Sequence, residues 1–197
     1  MMTDSEIQTA REDLAAAFRW SARLNMHEAV SNHFSFAIND DGTQFLVNPA
    51  GIHFSRVKAS DLVVVDLDQS LPAPAQGGPD PTAAAIHGAM HRNNPQARCV
   101  IHLHPKYVTA LSTLEDPTIL PIDQNTARFY NRVSYDIDFG GMGLGDEAER
   151  LSAQLGNRSI DFFIHFSDCC VTVFVGVPAY KRDVFGGYLD KSSTCFG

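Results

Sequence analysis

The chain has 197 residues, a length typical of one compact domain. Apolar residues make up 44% and charged residues 19%, which excludes a disordered or fibrous protein. The net charge is -8 and basic residues are not clustered, so we expect no nucleic-acid or membrane partner. The first eleven residues carry acidic side chains where a signal peptide would be basic, and no apolar run reaches membrane-span length. These features predict a cytoplasmic protein.

The first half of the chain predicts a helix, a hairpin and a buried strand. Apolar residues at steps of three and four predict an amphipathic helix over 7–24. Residues 33–38 and 44–47 predict the two strands of a hairpin around Asp41-Gly42. The β-branched run 62–67 predicts a well-buried strand, and Pro and Gly make 70–81 a loop.

The second half predicts helices that alternate with strands. The predicted helices are 82–93, 105–114, 146–155 and 178–189, and the predicted strands are 98–104, 132–139, 159–166 and 171–175. A glycine-rich loop is predicted over 140–145. This alternation indicates an α/β fold packed in layers over one sheet.

The segment Cys-Val-Ile-His-Leu-His-Pro at 99–105 carries the strongest chemical signal. In a strand, residues i and i+2 project from the same face, so His102 and His104 present two imidazoles side by side. That arrangement suits a divalent transition metal. The alternative is a chance pair, since the chain has eight histidines.

The other histidines are weaker candidates. His87 and His91 share one helix face, but Gly88 stands where a HExxH motif has its glutamate, so we expect surface positions or packing behind a site. His27 and His53 are isolated in sequence, which favours solvated or core positions. The Asn-Pro-Ala-Gly-Ile turn at 48–52 can form an anion-binding concavity from backbone amides. The four cysteines form no CxxC pair and predict reduced thiols.

Four separated segments together resemble the class II aldolase/adducin family over residues 8–158. They are Ser-Asn-His-Phe-Ser at 31–35, Asn-Pro-Ala-Gly at 48–51, Asp-Pro-Thr at 80–82 with Ile-His-Gly-Ala-Met-His at 86–91, and Arg-Cys-Val-Ile-His-Leu-His at 98–104. The resemblance implies a single three-layer α/β/α domain over 1–197, usually assembled as a homotetramer. In catalytic members, three histidines hold a zinc ion that polarises a substrate carbonyl and stabilises an enediolate.

The resemblance also implies roles for individual residues. His102 and His104 fall on the first two zinc-ligand positions, with another divalent transition metal as an alternative to zinc. His33 would lie near the carbonyl oxygen of the substrate. The substrate-binding candidates are Asn32, Ala50, Gly51 and Thr82.

Two departures from the family pattern concern the chemistry. Sugar-phosphate aldolases carry an acid/base glutamate nineteen residues before the first zinc histidine, and that position is Ala83. The third zinc histidine is expected in an Asn-His-Gly turn that this chain lacks, in a region, 160–190, that diverges from the family. His165 and Cys169 are the candidates for the third ligand, and the alternative is that none exists.

Two interpretations follow. In the first, the protein is a metal-dependent aldehyde-lyase that acts on a small oxygenated or phosphorylated carbonyl substrate. In the second, it is a non-catalytic, adducin-like binding or assembly module with a vestigial metal site. The intact His102 and His104 favour the first interpretation, and Ala83 with the missing Asn-His-Gly turn favours the second.

Overall fold

The structure, a computed structural model, describes residues 1–136, 138, 141 and 143–155 and the strand backbones at 160–165 and 170–175. Its helices are α1 (Asp4–Arg23), α2 (Pro81–Asn93), α3 (Lys106–Ser112), α4 (Gln124–Ala127) and α5 (Asp146–Leu155). Its strands are β1 (His33–Ala37), β2 (Gln44–Val47), β3 (Val63–Asp66), β4 (Cys99–Leu103), β5 (Val133–Asp136), β6 (Ile160–His165) and β7 (Cys170–Val175).

The seven strands form one sheet in the order β3-β2-β1-β4-β7-β6-β5. β5 and β6 are parallel, and the other neighbouring strands are antiparallel. β1 therefore lies beside β4, although the chain passes through two other elements of the sheet and α2 between them. This pairing confirms the α/β class and brings two histidine-bearing segments together.

α1 covers one face of the sheet. The Thr3 side chain accepts a hydrogen bond from the Glu6 amide, and Glu6 bonds back to Thr3, which satisfies the free amides at the helix start. Phe18 of α1 stacks on Phe34 of β1 at 4.4 Å, and Phe54 meets both rings edge-on. These fully buried rings form the centre of the core on this side.

α2 covers the opposite face. Because side chains alternate along β1, Phe34 points to α1 while His33 and Ser35 point to α2. The Asp80 carboxylate caps α2, and Ala83 packs in a second core cluster formed with residues of β1, β2 and β3. With a helix on each face of the sheet, the protein has the predicted three-layer architecture.

The turn of the first hairpin needs glycine. Gly42 has φ +71°, and a Cβ atom there would lie 2.2 Å from the backbone oxygen of His91. Only glycine fits this conformation and this close approach. The hairpin that carries His33 is thereby held against the backbone of α2.

Several predictions of local structure need correction. β3 is an edge strand of the sheet and Val64 is 42% exposed, so the prediction of a well-buried strand is wrong. A β-branched run reports a preference for extended backbone and does not say whether both faces are covered. The sequence patterns also missed α4, a single turn capped by Asp123. The predicted helix 178–189 lies outside the described residues.

The described part of the chain contains no helix that is both long enough and apolar enough to cross a membrane. Cys99 is a buried free thiol, as the prediction of reduced cysteines requires for this residue. Burial raises the pKa of this thiol to about 12, so it is protonated and unreactive at neutral pH.

Candidate functional site

The pairing of β1 with β4 places two histidines next to each other. His33 and His102 are directly opposite in the register of the two strands, and their rings stack at 4.4 Å with an angle of 12° between the planes. Both side chains are buried, on the face of the sheet that α2 covers. The two histidines are 69 positions apart in the chain, so sequence patterns do not predict this contact.

His104 completes a pair with His102. Their Nε2 atoms lie 3.1 Å apart, so the two rings converge as their same-face spacing predicts. A zinc ion about 2.1 Å from each nitrogen would hold two tetrahedral ligands ~3.4 Å apart, close to the observed separation. Nδ1 of His104 lies 2.5 Å from Oε2 of Glu28. A carboxylate in this position keeps the proton on Nδ1 and directs the lone pair of Nε2 towards His102.

Asn32 lies in the same loop as Glu28. Its Oδ1 accepts a hydrogen bond from the Glu28 amide at 2.6 Å, which fixes the orientation of its amide group. Its Nδ2 is buried, and no hydrogen-bonding partner for it exists among the residues that the structure describes. A buried donor without a partner costs free energy, so this group is suited to bind a ligand oxygen.

A chain of buried polar side chains lies behind His33. Nδ1 of His33 is 2.7 Å from Nε2 of His87, and Oγ of Ser35 is 2.5 Å from Nδ1 of His87 and 2.7 Å from Nε2 of His91. Nδ1 of His91 donates to the Ala97 carbonyl at 2.6 Å. His87 and His91 are therefore not surface residues, and the structure agrees with the alternative that they pack behind the site.

Burial determines the protonation of these three histidines. It lowers the pKa of His33 and of His91 to about 4, and it lowers the pKa of His87 well below the ordinary value. The charged form would lose its hydration in this interior, and neighbouring histidines add repulsion at His87 and His33. All three rings are neutral at pH 7.

The N-terminus of α2 already carries a negative group. Oδ1 of Asp80 accepts hydrogen bonds from the backbone amide and the hydroxyl of Thr82 at 2.8 and 2.5 Å. Burial opposes ionisation of Asp80, but these bonds and the nearby His33 outweigh burial and lower its pKa. The Ala50 amide donates to the Gly78 carbonyl at 3.0 Å. Thr82 and Ala50 would have to exchange these partners to bind an anion.

A cavity of about 610 Å³ opens beside the turn that contains Gly51. Its lining comprises Arg19, Val30, Gly51, Ile52, His53, Ser55, Arg56, Lys58 and Asp61. Three cations against one carboxylate make this cavity basic in a chain whose net charge is -8. Such a concavity concentrates small anions.

One loop connects the cavity with the histidine pair. His27 contacts His53 of the cavity wall through Nε2 atoms 2.9 Å apart, and the next residue, Glu28, bonds His104. His53 is exposed, as the expectation of a solvated position allows, and His27 is half-buried. The sequence did not predict that the two histidines form a pair. The loop at 27–32 borders both features, which places the basic cavity next to the candidate metal site.

The third metal ligand stays a prediction. The described residues contain no group of three or more His, Cys, Asp or Glu side chains that could hold a metal. The backbone of His165 ends β6 opposite Cys170, while its side chain and all of Cys169 lie outside the described residues. Near the start of β7, Val171 pairs with Leu103, beside the end of β4 that presents the histidine pair.

Sequence patterns missed five residues of this site. They are Glu28, Ser35, Arg19, Arg56 and Lys58. Ser35 carried one available signal, since it stands two positions after His33 and so shares its strand face. The other four are joined to the site by loops and by α1, where no periodic pattern reports which residues meet.

Comparison with known proteins agrees with this fold. Residues 12–166 match the family model described as the class II aldolase and adducin N-terminal domain. The chain belongs to the class II aldolase/adducin family. A crystal structure of an aldolase II superfamily protein from Pseudomonas syringae has a TM-score of 0.75 at 31% identity and covers 87% of this chain and 68% of that one.

Relatives in the family carry different names. An aldolase class 2 protein from Caulobacter vibrioides is 32% identical over 152 residues, which are 77% of this chain and 58% of that protein. Alpha-adducin from Rattus norvegicus is 30% identical over 150 residues, which are 74% of this chain and 20% of that protein. This chain thus spans little more than half of the first relative and a fifth of the second.

Proposed function

We propose that this class II aldolase/adducin domain is a divalent-metal-dependent aldehyde-lyase, with zinc as the metal. Its substrate would be a small oxygenated molecule with a carbonyl and an anionic group. The observation that carries the proposal is the convergence of the His102 and His104 Nε2 atoms at 3.1 Å, with Glu28 bonded to the outer nitrogen of His104. A carboxylate–histidine pair of this kind is the usual support of a metal-binding imidazole.

The residues present fit a zinc ion in part. His102 and His104 would supply two nitrogen ligands, and His165 and Cys169 remain the candidates for the third. When bound, the metal would act as a Lewis acid on the carbonyl of the substrate and so weaken the adjacent carbon–carbon bond. The protein's part is to orient the substrate and to exclude water around that bond.

Asn32 and His33 are the proposed contacts for the carbonyl end of the substrate. The unpartnered Nδ2 of Asn32 would donate to a substrate oxygen, since it is buried beside the loop that holds Glu28. His33, stacked on His102, would contact the oxygen atoms next to the carbonyl. Asn32 directly precedes β1 and His33 is its first residue, so the two residues are adjacent in the chain.

The basic cavity is the proposed site for the anionic end of the substrate. Arg19, Arg56 and Lys58 supply its positive charge. Gly51, with φ +78°, leaves space there, since a Cβ built on it would meet no described residue other than its chain neighbours within 4 Å. A phosphate or carboxylate bound there would lie across the 27–32 loop from the histidine pair. Ala50 and Thr82 would join this contact only after releasing Gly78 and Asp80.

Self-association is part of the proposal. Large apolar side chains are exposed in the isolated chain from α3 to the start of β5, including Tyr107 at 83% and Ile122 at 82%. Surfaces of this kind are commonly covered in assemblies. A second copy of the chain is the proposed partner, in line with the homotetramer that the family resemblance implies.

The second candidate function is a non-catalytic, adducin-like binding module. Ala83 favours it, because this residue replaces the aldolase glutamate and is fully buried among apolar side chains of the second core cluster. Its methyl group cannot move a proton. A proton donor or acceptor would have to come from another residue in the lyase.

One experiment separates the two candidates. Purified protein is analysed for bound metal by mass spectrometry and then assayed for cleavage of a panel of small hydroxy-carbonyl compounds, with and without a phosphate or carboxylate group. The lyase predicts about one zinc per chain and turnover that chelator abolishes and zinc restores. Zinc-free protein, or zinc-loaded protein inactive on the whole panel, would favour the binding module.

A further inference from the structure

The buried polar chain between α2 and β1 has no role in the function proposed above. Ser35, His87 and His91 are at most 1% exposed and lie where a helix packs on a sheet, a place normally filled by apolar side chains. Burying polar groups there is tolerated only because each one is hydrogen-bonded. The pattern of these bonds determines which ring nitrogen of each histidine carries the proton.

The direction of these hydrogen bonds is fixed where His91 meets the Ala97 carbonyl, at the end farthest from His33. The Ala97 carbonyl can only accept, so Nδ1 of His91 carries the proton that bridges the 2.6 Å between them. In a neutral ring, Nε2 of His91 then has a lone pair and accepts from the Ser35 hydroxyl at 2.7 Å. Ser35 has thereby used its only proton.

The remaining hydrogen bonds, from Ser35 through His87 to His33, take their direction in the same way. The oxygen of Ser35 accepts from Nδ1 of His87 at 2.5 Å, so Nε2 of His87 has the lone pair. That lone pair accepts from Nδ1 of His33 at 2.7 Å. The proton of His33 therefore lies on Nδ1, and its Nε2 carries a lone pair.

The opposite direction is excluded by the backbone. If His87 donated to His33, Ser35 would have to donate to His87, and His91 would have to donate to Ser35 through Nε2. Nδ1 of a neutral His91 would then be a lone pair 2.6 Å from the Ala97 carbonyl, which places two acceptors against each other. One carbonyl thus sets the tautomers of three histidines.

We propose that Ser35, His87 and His91 are positioning residues that lock the Nδ1–H tautomer of His33 and present its Nε2 as a hydrogen-bond acceptor beside His102. Among the residues that the structure describes, His33 makes its hydrogen bond through Nδ1, which leaves Nε2 for a ligand. The ligand it fits is a donor, which means a substrate hydroxyl or a water molecule and not a carbonyl oxygen. This use of Nε2 rests on the proposed function, whereas the tautomer itself does not.

Nitrogen-15 NMR of the full-length, metal-free protein at pH 7.5 tests the tautomer directly. The His33 ring is assigned by the signals that disappear in His33→Gln. We expect Nδ1 of His33 to be protonated and Nε2 to be unprotonated, with the same assignment for His87 and His91. A proton on Nε2 of His33 in the wild-type protein overturns the proposal, whatever any variant does.

Three serine variants test this series of hydrogen bonds. Ser35→Ala removes the link that orients His87, so we expect His33 to lose its single tautomer and to show both forms. Ser112→Ala is the matched control, because Ser112 is an equally buried serine that donates only to the Thr109 carbonyl. A pure Nδ1–H tautomer of His33 in folded Ser35→Ala would show that the chain does not set it. Ser35→Thr keeps the hydroxyl and should retain the wild-type tautomer.

The test of the His33 tautomer and the test of the proposed lyase function can fail independently of each other. Zinc analysis reports on His102 and His104, whereas the tautomer is read in metal-free protein. Zinc-free protein with a locked His33 would overturn the lyase and leave the locked tautomer in place. Zinc-bound protein with a mixed His33 tautomer would overturn the locked tautomer and leave the lyase in place.

Discussion

Glu28 and His104 are 76 positions apart in the chain, yet Oε2 of Glu28 lies 2.5 Å from Nδ1 of His104. Glu28 is exposed and His104 is mostly buried, so this contact holds the ring from the solvent side. It gives His104 the tautomer and the orientation that a metal ligand needs.

Glu28→Gln should therefore weaken zinc binding by about 10- to 100-fold without unfolding the protein. The neutral amide no longer favours a proton on Nδ1 of His104. The measurement is a zinc titration in competition with a chromophoric chelator. Glu12→Gln, at an exposed acid of α1 that accepts a hydrogen bond from Gln8, is the control and should bind as the wild type does. Equal affinities in all three proteins would contradict the assigned contact.

His102→Ala should reduce bound zinc to background because one of the two converging nitrogens is removed. His53→Ala is the informative control, since His27 and His53 form the other pair of close Nε2 atoms, 2.9 Å apart. We expect this variant to retain its zinc. If instead His53→Ala loses the metal and His102→Ala keeps it, the metal site belongs to the second pair. The readout is metal content per folded chain by mass spectrometry.

The buried histidines should make stability depend on pH. His91 titrates near pH 6.5 in the unfolded chain, and burial lowers its pKa to about 4 in the folded protein. Between these values only the unfolded state binds the proton, so the free energy of unfolding falls as the pH falls from about 6.5 to about 4. The expected slope from this one ring is up to about 1.4 kcal/mol per pH unit.

His91→Phe keeps a ring beside Phe45 and removes this titration. Urea unfolding at several pH values should give a free energy of unfolding that depends less steeply on pH in the variant. Parallel curves for the two proteins would show that His91 does not titrate differently in the folded state.

Ala83→Glu should not restore the chemistry of a sugar-phosphate aldolase. Ala83 is 0% exposed and packs in the cluster of Phe45, Val47 and Val65, so a carboxylate there has no water and no partner in that cluster. We expect a loss of at least ~2 kcal/mol in the free energy of unfolding. Urea unfolding and an assay with a phosphorylated ketose measure both effects.

The control is Ala75→Glu, at an exposed position of the loop before α2, which should leave the free energy of unfolding within about 0.5 kcal/mol of the wild type. A stable Ala83→Glu variant with new, chelator-sensitive aldolase activity would contradict the burial argument. It would also place the active site around α2.

The basic cavity should bind inorganic phosphate. Arg56→Gln removes one of its three cations and should weaken phosphate binding several-fold, with a decrease in the salt dependence of binding. Arg128→Gln changes an exposed arginine outside the cavity lining and should have no effect. Chemical-shift perturbation during a phosphate titration provides the affinity. Equal weakening by both variants would indicate a general response to charge.

Local patterns in the sequence predicted much of the fold. The 3.6-residue and two-residue periods report on neighbours along the chain, so α1, α2, α5 and the first hairpin were predicted within a few residues. The burial of a strand was less predictable, since the edge position of β3 depends on which strands pair. Strand pairing depends on the whole sheet, so it cannot be predicted from the sequence of one strand.

For the site, the sequence by itself determined that His102 and His104 project to the same side at the end of a strand, because that follows from a spacing of two residues. Only the tertiary structure decided that His33 stacks on His102, that Glu28 holds His104, and that Ser35 joins two histidines of α2. These contacts depend on the register of β1 against β4 and on the seating of α2 over both strands. Register is set by the packing of both faces of the sheet at once, and a shift of one residue would turn His33 and Ser35 to the side of α1.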